Sequence, residues 1–69
     1  KMKKVLTIEG MMCGHCTGRV EQALNALEGV KAEVSLDDKT ATVTATEDVS
    51  EEMLVKAVTD AGYTVIDVQ

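Results

Sequence analysis

The chain has 69 residues and a formal net charge of −5, with 45% hydrophobic and 28% charged residues and a single aromatic, Tyr63. This length predicts one domain over residues 1–69, with a core of Val, Leu, Ile, Ala and Met. An acidic chain without stacking aromatics is poorly suited to nucleic acid, and no apolar run approaches the ~20 residues that would insert into a bilayer.

The basic start, Lys1-Met2-Lys3-Lys4, precedes only a short apolar run, too short for a secretory signal. A cytoplasmic location is therefore expected, unless a leader precedes this segment. Lys4 to Glu9 reads as a strand, with Leu6 and Ile8 on one face and Thr7 and Glu9 on the other. Gly10 breaks it. From Cys16 the period becomes helical: Val20, Leu24 and Leu27 fall on one stripe with Ala23. Gly18 weakens the first turn, and Gly29 is the expected stop.

Val30, Ala32, Val34 and Leu36 alternate with polar residues, as do Ala41, Val43 and Ala45 with Thr42, Thr44 and Thr46. The polar turn Asp37-Asp38-Lys39-Thr40 joins them into a hairpin. Ser50 is placed to cap a second helix, with Glu51 and Glu52 at its positive end. Val49 and Leu54 have the spacing of a hydrophobic staple. Leu54, Ala57, Val58 and Ala61 form its stripe, Gly62 ends it, and Tyr63 to Val68 is the last strand. The order β-α-β-β-α-β predicts a ferredoxin-like α+β sandwich, two helices on one face of a four-stranded antiparallel sheet of order 4-1-3-2. That topology brings Tyr63 to the end of the sheet where the first strand meets the first helix.

Both cysteines and the only histidine sit at that junction, in Gly10-Met11-Met12-Cys13-Gly14-His15-Cys16. Unpaired N–H groups and the helix dipole favour thiolate there, and thiolate is the form that binds metal. Arg19 adds positive charge nearby. Two soft sulfurs suit Cu(I), which accepts low coordination, whereas a structural zinc site needs four protein ligands. Met11 reads as packing beneath the loop. Met12 is either a soft third ligand or an exposed loop residue. His15 tunes the cysteines, ligates, or simply occupies the surface. Tyr63 either closes the core or lies over the metal loop.

These residues, with Val20-Glu21-Gln22-Ala23-Leu24 and Gly29-Val30, resemble the heavy-metal-associated domain family. Its motif is Gly-Met-x-Cys-x-x-Cys on a βαββαβ fold, and the resemblance covers almost the whole chain. Within the family, His15 and the Gly62-Tyr63 pair are similar to bacterial CopZ-type copper chaperones. Met12 departs from the Thr or Ser usual at its position. The resemblance implies a non-enzymatic carrier of Cu(I) on Cys13 and Cys16. It would pass the ion to a copper-transporting P-type ATPase by ligand exchange. Copper on two exposed thiolates could also bridge a homodimer.

Three other readings compete. A carrier of zinc, mercury or cadmium would use the same loop, as would an N-terminal metal-binding domain excised from an ATPase. A thiol-disulfide oxidoreductase also places Cys-x-x-Cys at a helix start, but resemblance to thioredoxin-like enzymes would imply a longer chain with a cis-proline, and this chain has no proline. An RNA-binding sheet would need aromatics on its open face, where this one carries Thr, Glu, Ser and Lys.

Overall fold

The structure, a computed structural model, describes residues 2–69; Lys1 of the basic start lies outside them. The elements are β1 (Met2–Glu9), α1 (Gly14–Asn25), β2 (Val30–Ser35), β3 (Thr40–Ala45), α2 (Glu51–Asp60) and β4 (Thr64–Val68). The strands form one sheet of order β2-β3-β1-β4, every neighbour antiparallel. This is the ferredoxin-like sandwich expected from the sequence, with the helices on one face. Leu6 and Ile8 of β1, Val20 and Leu24 of α1, and Leu54 and Val58 of α2 are all buried between the layers.

The ends of several elements differ from the sequence pattern, each for a local reason. β1 starts two residues early because Met2 and Lys3 pair with Ala45 and Thr44; the length of β3 sets how far the ladder runs. α1 starts at Gly14, not Cys16, and runs through Gly18 without a break. It also stops sooner than Gly29 suggested. Asn25 ends it, and Leu27 lies in the following turn, where the Val30 N–H donates to the Leu27 carbonyl at 3.2 Å.

Asn25 is tied to the outer edge of β2. Its Nδ2 donates to the Ala32 carbonyl at 3.3 Å, and its Oδ1 accepts from the Ala32 N–H at 2.8 Å. The amide thus takes the place of a neighbouring strand at one residue of an open sheet edge. At the other end of β2, Leu36 falls outside the strand and is exposed. Its carbonyl accepts from the Lys39 N–H at 3.3 Å, and Lys39 adopts a left-handed φ of 58°. The hairpin turn therefore takes Leu36 from the strand that its alternation suggested.

α2 begins where its cap predicted. Ser50 Oγ accepts from the Met53 N–H at 3.2 Å, and Val49 and Leu54 are both buried, as a staple requires. It ends in a Schellman motif. The Gly62 N–H donates to the Thr59 carbonyl at 3.0 Å and the Tyr63 N–H to the Val58 carbonyl at 3.2 Å. Gly62 takes φ +100°, which a side chain would disfavour. The motif turns the chain so that Tyr63 leads into β4 opposite the end of β1, with Thr64 paired to Glu9.

Candidate metal centre

Three connections meet at one end of the sheet: the β1–α1 loop, the β2–β3 hairpin and the α2–β4 turn. Pairing of Thr7 with Thr40 and Glu9 with Thr64 holds them together, and the Ile8 N–H donates to the Lys39 carbonyl at 2.8 Å. The cysteines lie in the first of these connections.

Gly10 turns the chain out of β1 with φ +101°, and a Cβ added there would lie 3.4 Å from Cδ1 of Tyr63. The next two residues point in opposite directions. Met11 is 1% exposed, packed into the core, while Met12 is 81% exposed. The loop is thus anchored from beneath by one thioether and presents the other to solvent.

Cys13 is the residue before α1, in extended conformation (φ −161°, ψ 174°), and its side chain caps nothing. Its carbonyl accepts the N–H groups of Cys16 at 3.0 Å and Thr17 at 3.2 Å. The Thr17 hydroxyl bonds the Gly14 carbonyl at 2.8 Å. None of these bonds uses a thiol, and both cysteines are free. Cys13 is exposed and Cys16 half-buried, both are unoxidised, and their sulfurs are 3.8 Å apart. They sit three residues apart, so one face of the helix start carries both.

The surroundings favour thiolate at Cys16. Its thiol is lowered from 9.0 to about 7, first because the Tyr63 hydroxyl donates to the sulfur. The Met12 backbone N–H supports this, and so do the Cys13 thiol and backbone, while partial burial opposes them. Tyr63 shows the reciprocal effect. Its hydroxyl is raised above its ordinary value chiefly because it donates to Cys16. Tyr63 thus stands over the loop, and it also packs against the core. The ring lies against the core, and the hydroxyl is on the side of the loop.

Arg19 and His15 belong to the first turns of α1. Both are exposed and share a face of α1, where they line a hollow of about 250 Å³ with Gly14, Gly18 and Gln22. At ~100° per residue Arg19 stands about 60° around the helix from Cys16 and His15 about 100°. The charge of Arg19 is felt at Tyr63, whose hydroxyl it pulls downward. Among the described residues no three His, Cys, Asp or Glu side chains gather to hold an ion. The two sulfurs therefore stand without a third ligand of those types. A four-ligand zinc set does not form within the described residues, and His15 does not join the thiols. Nor, among the described residues, is any helix long and apolar enough to cross a membrane.

The Met12 backbone N–H was not legible in the sequence as a donor to Cys16, because any residue type offers that group.

Fold and loop together define a small domain built to present two sulfurs at one end of a β-α sandwich. The chain belongs to the heavy-metal-associated domain family, which matches residues 5–64. It is 46% identical over 66 residues to the copper chaperone CopZ of Staphylococcus haemolyticus, covering 93% of this chain and 97% of that one. It is 43% identical over 60 residues to a mercuric reductase of Shewanella putrefaciens and 45% over 58 residues to a copper-exporting P-type ATPase of Mycobacterium tuberculosis. These alignments cover 86% and 84% of this chain but only 11% and 8% of the two larger proteins. A solved structure described as a CopZ metallochaperone superimposes with a TM-score of 0.90 at 37% identity, over 94% of this chain and all of that one.

Proposed function

We propose that this domain is a copper carrier, holding Cu(I) between the thiolates of Cys13 and Cys16 and surrendering it to a copper-transporting P-type ATPase. The observation that carries this reading is the pair of free sulfurs 3.8 Å apart at an exposed helix start. A short carrier needs its cargo at the surface, on ligands a partner can reach. Two thiolates suit a soft ion of low coordination number, while leaving zinc short of its usual set.

Loading replaces two S–H bonds with two Cu–S bonds and releases the protons to solvent. Tyr63 lightens that step at Cys16 by holding the sulfur as thiolate near neutral pH. Delivery is the reverse exchange. A thiolate of the acceptor bonds to copper, one chain sulfur leaves and regains a proton, and the second follows. No electron moves, and neither thiol is consumed, so the protein acts as a carrier and not as an enzyme. The same openness lets copper bridge two copies of the chain at high loading. The likeness to a copper-exporting ATPase supports the choice of acceptor, and a cytoplasmic site of action follows from that partnership.

The likeness to a mercuric reductase favours a second reading, in which Hg(II) is the cargo. One experiment separates them: anaerobic titration with Cu(I), Hg(II) and Zn(II) against competing chelators, for the parent and a Cys13→Ser/Cys16→Ser variant. One equivalent of tightly held Cu(I), lost in the variant, with weak zinc binding, is the expected result. A second arm follows transfer to the N-terminal domain of a copper ATPase. Transfer of Hg(II) but not Cu(I), or tight zinc with poor copper retention, would overturn the copper assignment.

A further inference from the structure

Met12 is unexplained by the fold. It is the most exposed of the exposed large hydrophobic residues, at 81%, and it contributes nothing to the core. Leu36 (37%), Met53 (42%) and Ile66 (59%) are each less exposed, and none is next to a cysteine.

The position of Met12 is not arbitrary. It is bonded directly to Cys13, whose sulfur is 3.8 Å from that of Cys16. The start of its side chain is therefore one residue from the paired sulfurs. From there three rotatable bonds carry a polarisable thioether. Met11 has the same donor, but its side chain is sealed in the core.

Resting on the copper reading above, we propose that the Met12 thioether is a third, exchangeable ligand of the Cu(I) held by Cys13 and Cys16. Neutral thioether sulfur is a soft donor that suits Cu(I) and offers little to zinc. It adds no negative charge to a two-thiolate site, so it binds more weakly than the cysteines. That weakness gives it a role in transfer. An incoming thiolate forms its Cu–S bond as the Cu–Sδ bond to Met12 breaks. Copper stays Cu(I) and three-coordinate throughout, and no proton is exchanged at Met12. Met12 thus marks the side of the loop where the acceptor enters, and it biases the site toward soft ions.

The test is NMR of the protein carrying 13C-methyl methionine, titrated anaerobically with Cu(I). There are four methyl signals, from Met2, Met11, Met12 and Met53, and Met12→Leu assigns the one at issue. On the first equivalent of Cu(I) the Met12 signal should shift strongly while Met2 and Met53 stay in place, and Zn(II) should leave Met12 unmoved. Met12→Leu, of similar volume on an exposed site, should keep the fold and weaken Cu(I) retention by about tenfold, the low end for loss of a supporting group at a metal site. Cu(I) bound by both cysteines with the Met12 methyl unshifted would overturn this inference and leave the carrier reading standing. Cu(I) that ignores Cys13→Ser/Cys16→Ser would overturn both.

Discussion

Replacing Tyr63 by Phe keeps the ring against Gly10 and the core but removes the hydroxyl that does most to hold Cys16 as thiolate. With its thiol at about 7, Cys16 is roughly half ionised at pH 7. A thiol left at its ordinary 9.0 would be about 1% ionised there. The variant stops short of that limit, because the Met12 N–H and Cys13 still support the thiolate. The limiting fall in thiolate, about fiftyfold, is offset by roughly eightfold through the greater nucleophilicity of the more basic sulfur. Alkylation of Cys16 at pH 7 should therefore slow by no more than about sixfold. The midpoint is the sharper readout. Following the Cys16 13Cβ signal against pH, the transition should lie near 7 in the parent and clearly higher in Tyr63→Phe. The stability consequence has a definite sign. Cys16 titrates lower in the folded chain than in the unfolded one, so its contribution is complete above about pH 9 and is lost as pH falls through 7. The deficit of Tyr63→Phe relative to the parent should thus widen between pH 7 and 9. An unchanged midpoint in the variant would refute the role given to the hydroxyl.

Other perturbations separate the scaffold from the site. Ser50→Ala removes the Oγ that receives the Met53 N–H and should cost about 1 kcal/mol, seen as a lower urea midpoint with Cu(I) affinity unchanged. Leu54→Ala empties a fully buried position and should cost about 2–5 kcal/mol. A chain of this size has only several kcal/mol to lose, so circular dichroism should show partial unfolding without denaturant. Asn25→Ala leaves the Ala32 N–H and carbonyl without their partner and should cost roughly 1–3 kcal/mol; amide hydrogen exchange at Ala32 should quicken while the strands β1 and β3 stay protected.

Much of this protein can be read residue by residue, because its signals are local. The cap at Ser50 involves four neighbouring residues. The stop at Gly62 is a φ requirement at one position, and the alternation of Ala41, Val43 and Ala45 reports a half-buried strand directly. The site loop is legible for the same reason, with two cysteines three apart between a strand and a helix. Boundaries were less legible where a distant partner sets them. β1 extends to Met2 because β3 is there to pair with it, and α1 gives way at Asn25, whose amide is bound to a strand.

From the sequence alone came the order of elements, the side each buries and the chemistry of Cys13 and Cys16, all of which depend on periodicity, caps and residue type. Tertiary structure alone decided what surrounds the sulfurs. Only the assembled sheet, with Thr64 paired to Glu9, brings the Tyr63 hydroxyl towards Cys16. Only the turn out of β1 buries Met11 and exposes Met12. The physical reason is range: backbone propensity and capping act over a turn or a few residues, whereas the ionisation and reach of a thiolate depend on whatever packing places within a few ångströms of it.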